Sequence, residues 1–254
     1  MVQGTHCFLD DDNWKAVLHH ESQAPGLDTP QSVRLSDEFY EILATLPGLI
    51  NLTNSLHKVP FPNEADKWYV VQRAKELWSS LERWYGKITA GTTPLFVECP
   101  SSSEDKLFPS VYRFENHHMT GLFSSYYACL IVINDILTSF PPTDDFSSDN
   151  RNYAIEICKS VEYAHSSGFV GAYSIIFPLM AAYLASGPEV RHWIKKWPGR
   201  FGKYFDVKVW GVFEEMDKRG GLVMKRQHRG IESSGSESAP VASIGLYSWP
   251  ISTH

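Results

Sequence analysis

Apolar residues recur along this chain at helical spacing, in blocks separated by proline-rich and polar stretches. After Ser36, a suitable N-cap, Phe39, Ile42, Leu43, Leu46, Leu49 and Ile50 predict a helix over 36–57, with a break or kink at Pro47. Pro60 and Pro62 mark a loop. The clearest amphipath follows over about 64–88. Val70, Val71, Ala74, Leu77, Trp78, Leu81, Trp84 and Tyr85 form one stripe, and charged residues such as Arg73, Glu76, Glu82 and Arg83 cover the rest. Residues 89–111 read as a polar loop containing Pro94, Pro100 and Ser101-Ser102-Ser103.

From His117 to Ser139 the pattern is apolar nearly all round, as expected of a helix at the centre of a fold. Pro141-Pro142 ends it. A helix over about 148–166 turns Ala154, Ile157, Cys158 and Val161 inward. From Ala164 to Pro188 there is no charged residue. That stretch is long enough to raise a membrane-spanning reading. Gly168, Gly171 and Pro178 interrupt it and no basic anchor precedes it, so it reads as a central buried helix kinked at Pro178. Short helices are predicted near 189–197 and near 201–217, the latter with Phe205, Val209, Trp210, Phe213 and Met216 on a stripe. The expectation is an all-α, single-domain fold of about six to eight helices: an irregular N-terminal segment (1–35), a helical domain (36–220) and a mobile tail (221–254), with Ile244 to Ile251 docking back.

Composition narrows the function. The 254 residues include 43% hydrophobic and 13% aromatic positions, with 8 Trp, 12 Tyr and 14 Phe. This is ample apolar surface for a folded core and excludes wholesale disorder. The net charge is −6, which does not suit a chain that coats nucleic acid. Charge is uneven: residues 191–229 carry 11 Lys and Arg against 4 Asp and Glu, a local net of +7 that leaves −13 on the remainder. We read this as a solvated helix face and tail. Cys7, Cys99, Cys129 and Cys158 are too dispersed for a zinc cluster and fit a reducing compartment. Met1 to Asp12 lacks the features of a secretory signal, so the expected location is nucleus or cytoplasm, not secreted and not in a membrane. Asn51-Leu52-Thr53 matches a glycosylation sequon but lies in a helical pattern.

Taken in order, several blocks carry a family resemblance: a Trp after acids at Phe8 to Trp14, Leu46-Pro47-Gly48-Leu49, the Leu77, Leu81 and Trp84 helix, Leu107 to Phe114 running into Tyr126-Tyr127-Ala128-Cys129, Ala154 to Tyr163, and Gly171-Ala172 with Phe177-Pro178-Leu179. Over roughly residues 8–215 this order resembles the C-terminal half of the fungal-specific transcription factor domain, the helical regulatory region of zinc-cluster transcription factors. The resemblance implies an all-helical fold with a regulatory or ligand-sensing role. The six closely spaced cysteines and basic linker of those factors have no counterpart here, so direct sequence-specific DNA binding is not expected. No consensus catalytic residue transfers.

Candidate chemistry is sparse. Arg113, Glu115, His117 and His118 form the best acid/base group, and an enzyme of secondary metabolism, of cyclase or isomerase type, would use His117, Glu115, Arg113 and Asp135 as its catalytic residues. Asp144-Asp145-Phe146-Ser147-Ser148-Asp149 and Asn134-Asp135-Ile136-Leu137-Thr138 echo the metal motifs of terpene cyclases. Their order is reversed, however, and the third ligand position falls at Pro142. These residues read instead as solvated loop, with Ser148 and Asp149 capping the next helix. No metal or cofactor is expected. Tyr126, Tyr127, Tyr173, Phe177 and Tyr183 lie on the two most apolar helices and would line any cavity, which an apolar or polycyclic small molecule would fill. The expected partner is such a molecule or a protein, a second copy of the chain included.

Overall fold

A computed structural model describes residues 31–90, 94–102, 107–140 and 146–201. The expected features at Phe8 to Trp14, Asp144 and Asp145, the 201–217 helix and the tail lie outside the described residues. Within them the fold is all-α. Six helices, α1 (Gln31–Lys58), α2 (Glu64–Thr89), α3 (His117–Thr138), α4 (Ser147–Ser166), α5 (Gly168–Ala185) and α6 (Pro188–Phe201), are joined by one small antiparallel ribbon, β1 (Phe96–Pro100) and β2 (Ser110–Phe114).

Helix α1 begins at Gln31 rather than Ser36, so Ser36 is not its cap. The side chain of Ser36 is buried instead, with Oγ 2.7 Å from Nε2 of His118. Pro47 and Pro178 both lie inside continuous helices. In α1, Thr53 is fully buried and donates to the Leu49 carbonyl, so the sequon threonine faces the core. Helix α2 starts at Asn63, whose side chain accepts from the Ala65 N–H, and α3 starts at Asn116, which accepts from Met119. Ser148 and Asp149 do not cap α4; its N-cap position is Phe146, and Asp149 sits in the first turn, where its charge favours the helix dipole.

The core has two large parts and one small one. The first joins α1, α2 and α3 through Phe39, Leu46, Val70, Leu81, Trp84, Leu130 and Ile133. Trp84 anchors it: its ring lies 4.6 Å from Phe39 and its indole N–H donates to the Leu35 carbonyl at 2.6 Å. The second joins α3 to α4, α5 and α6 through Ile157, Val161, Ile175, Leu179, Trp193 and Ile194. The third packs Tyr112 and Phe114 of the ribbon on Phe123. Tyr127 touches all three. Helix α3 is therefore central, as its all-round apolar pattern predicts.

Within the segment expected as a polar loop, residues 96–100 form a strand that pairs with 110–114. Phe96 pairs with Phe114, Glu98 with Tyr112 and Pro100 with Ser110. The ribbon is held on α4 by polar contacts. Lys159 pairs with Glu98 at 2.9 Å and stands 5.1 Å above the Tyr112 ring, and the Tyr112 hydroxyl donates to Glu156 at 2.8 Å.

The α4–α5 corner depends on two glycines. Gly168 adopts φ 69°, a left-handed conformation that costs a side-chain-bearing residue energy. A Cβ on Gly171 would lie 2.0 Å from the Ala164 carbonyl oxygen, so only glycine permits this approach. Among the described residues, α3 and α5 are long and apolar enough to cross a membrane by length and composition. Of their apolar windows, 78% and 56% of the residues are buried inside the protein. Cys99, Cys129 and Cys158 are free thiols, and burial pushes the thiols of Cys129 and Cys158 up.

Candidate functional site

The aromatic side chains expected to share a cavity divide among four places. Tyr126 and Tyr127 project from α3 toward α2 and α4. Tyr183 is buried at the α5–α6 junction, with Arg191 and Lys195 each 5.2 Å from its ring centre. Tyr173 is 55% exposed beside Phe169, and this corrects its expected place in the interior. Phe177 is half-buried and packs against both large core clusters. One helix cannot aim Tyr173 and Tyr183 at one small ligand, because ten residues span about 15 Å.

Around Tyr126 and Tyr127 a seam of tyrosines and carboxylates forms. Tyr85 of α2 stacks on Tyr126 with centroids 4.4 Å apart and an interplanar angle of 7°. Tyr127 meets Tyr126 edge-on at 5.0 Å and lies 5.5 Å from Tyr153 of α4. The Tyr126 hydroxyl donates to Glu82 at 2.9 Å, and the Tyr127 ring meets Tyr85 edge-on at 6.3 Å. Burial above all, then the Glu82 bond at Tyr126 and the neighbouring Tyr85 at Tyr127, push both phenols well above their ordinary range. The hydroxyls therefore stay protonated and act as donors. Tyr85, Tyr153, Glu82 and Glu156 were not singled out by sequence reasoning. Tyr85 was visible only as one position of the α2 stripe, and Glu82 only as part of the polar face.

The acid/base candidates do not assemble. Arg113, Glu115 and His117 are all exposed, at the corner where β2 enters α3. Asp135 sits near the other end of α3, about 27 Å along the axis from His117. This separation corrects the expectation that one pocket could use all four. The neighbouring His118 is engaged by Ser36, and burial together with His117 holds its imidazole below the ordinary range. Asn134 of the metal-like motif is fully buried and donates its amide to Asn150 Oδ1 at 2.6 Å. Among the described residues no group of three or more His, Cys, Asp or Glu could hold a metal.

The surface carries a conspicuous apolar corner. Around the α1–α2 turn, Phe61 is 92% exposed and Trp68 65%, with Val59 and Tyr69 also exposed. Large exposed aromatics clustered in one short stretch of chain mark interaction surfaces more often than scattered single ones do. Compared with protein-family models, curated proteins and solved structures, the chain matches none.

Proposed function

We propose that this protein is a non-catalytic regulatory domain, similar to the helical domain of fungal zinc-cluster transcription factors, that works by engaging a protein partner in the nucleus or cytoplasm. The observation that carries this reading is the exposed aromatic corner formed by Phe61, Trp68 and Tyr69. Aromatic side chains supply large contact area at low entropic cost, and they dominate binding energy when a partner buries them. The exposure of Arg113, Glu115 and His117, and the distance of Asp135 from them, support a non-catalytic role.

The test is capture of partners by wild-type protein and by a Phe61→Ser, Trp68→Ser variant. Both residues are exposed, so the variant keeps its circular dichroism spectrum and its stability changes by about 0.5 kcal/mol at most. A partner retained by the wild type and lost by the variant is the expected result. Equal capture by both proteins would overturn the reading.

A second reading rests on the tyrosine seam. Protonated hydroxyls beside carboxylates suit a small molecule with an apolar body and a few polar groups, bound by a sensor or turned over by a cyclase or isomerase. Native mass spectrometry after incubation with a cell extract separates the readings, because a retained small molecule of defined mass favours the seam.

A further inference from the structure

Helices α5 and α6 lie side by side in opposite directions. At the end of α5, Arg191 of α6 donates to the Tyr183 and Leu184 carbonyls. At the far end of α6, Phe201 meets His165, just before α5 begins, with ring centroids 5.3 Å apart. The two helices therefore share one surface, and they bring opposite chemistry to it.

Helix α5 has no charged side chain. Its solvent side is apolar: Phe169 and Tyr173 are each 55% exposed and Val170 52%, and the Phe169 and Tyr173 rings stack with centroids 6.3 Å apart. Half-buried Phe177 continues this stripe one turn further. Helix α6 turns Trp193, Ile194, Trp197 and Phe201 into the core. Its solvent face carries His192, Lys195, Lys196 and Arg200, all exposed, and Glu189 is the one acid in the helix. Lys195 reaches the boundary with α5, where its ammonium lies 5.2 Å from the Tyr183 ring centre. An apolar stripe thus runs beside a basic one.

The charge selects the occupant. A second copy on this face would bring basic α6 faces together, and like charges oppose that. The occupant is therefore anionic. Phe169, Val170 and Tyr173 are more than half exposed, so they project from the helix rather than line a groove that would grip a peptide. They suit a surface that yields around them.

We propose that the α5–α6 face is a peripheral binding surface for anionic phospholipid bilayers. Phe169, Val170 and Tyr173 enter the boundary between headgroups and acyl chains, with the Tyr173 hydroxyl at headgroup level. Lys195, Lys196 and Arg200 meet the lipid phosphates. The helices lie on the bilayer and do not cross it, because Ile175, Leu179 and Ala182 on the inner side of α5 are fully buried within the protein. The exposed corner at Phe61 is a separate surface. It adjoins the C-terminal end of α3, where His57 stacks near Phe140 at 5.1 Å, whereas the α5 stripe adjoins the N-terminal half, where Ser174 packs on Gly121.

The test is sedimentation of the full chain with vesicles of phosphatidylcholine alone and with about 30% phosphatidylserine added. The expected result is binding to the anionic vesicles only, weakened when salt is raised to about 0.5 M. Lys195→Glu with Lys196→Glu should lower the partition about tenfold or more, and Phe169→Ser with Tyr173→Ser about tenfold. All four residues are exposed, so both variants keep the circular dichroism spectrum of the wild type. The Phe61→Ser, Trp68→Ser variant should bind like the wild type. Absence of binding to the anionic vesicles, or equal binding by the wild type and both α5–α6 variants, overturns the proposal. So does loss of binding in the Phe61, Trp68 variant. Binding that needs the lysines but not Phe169 and Tyr173 also overturns it, and would leave α6 as a basic face for an acidic protein.

Discussion

Ser36 and His118, 82 positions apart in the chain, meet with Oγ and Nε2 separated by 2.7 Å and tie the start of α1 to the start of α3. Burial and His117 lower the imidazole's pKa, against the opposing pull of Asp37. The folded state therefore favours neutral His118. Its contribution is complete above the unfolded value of about 6.5 and is lost as pH falls from there through the lower folded value. Denaturant unfolding between about pH 7.5 and 5.5 should show this acid-side loss, and His118→Gln should flatten it. An identical slope in the variant would mean that other groups carry the effect. Ser36→Ala should cost about 1 kcal/mol at neutral pH.

Gly171→Ala places a methyl group against the Ala164 carbonyl, with no flexible side chain to yield. The α4–α5 corner must open, at a cost of about 3 kcal/mol. Gly168→Ala should cost about 1 kcal/mol, because it forces a Cβ into the left-handed region. Thermal unfolding of the two variants checks the order of these effects; a larger loss for Gly168 would contradict the packing argument.

Tyr127 is the side chain shared by all three core clusters. Tyr127→Phe keeps the shared ring and should cost about 1 kcal/mol at most, whereas Tyr127→Ala should cost about 3 kcal/mol or more. Amide exchange in the Ala variant should accelerate in both halves of the molecule. Acceleration confined to α2 would show that the clusters are independent.

Asn134 and Asn150 form a buried amide pair in which Asn134 Oδ1 has no hydrogen-bond partner among the described residues. Asn134→Ala deprives Asn150 of its donor and should cost about 2 kcal/mol. Adding Asn150→Ala should cost less than its effect alone, with a coupling of about 1 kcal/mol in a double-mutant cycle. Strict additivity would mean that the pair is not energetically real.

The helices could be read from the sequence because each is long and periodic. The stripe from Val70 to Tyr85 predicted α2 nearly to its ends, and the unbroken apolar character of 117–139 predicted that α3 is central. Ser36 misled as a cap because its role is set by a histidine 82 positions away. The ribbon was hidden because Phe96 to Pro100 is short and ends in proline, and its order comes from α4 contacts that no local pattern reveals. The seam was half legible. Tyr126 and Tyr127 stood out on an apolar helix, but Glu82 and Glu156 looked like ordinary solvated charges. Each finds its tyrosine 44 positions away, a distance no spacing rule reaches.

The central place of α3 also bears on how the protein is made. During synthesis α1 and α2 leave the ribosome first, and Phe39 can meet Trp84 before residues 117–138 exist. Their remaining apolar faces, Leu46, Val70 and Leu81 among them, have no cover until α3 arrives. For that interval the nascent chain is a sticky two-helix fragment, and α4 and α5 face the same wait for one another. A pause in translation before His117 would therefore prolong its need for a chaperone, whereas a pause after Ser166 would come once the first core has closed.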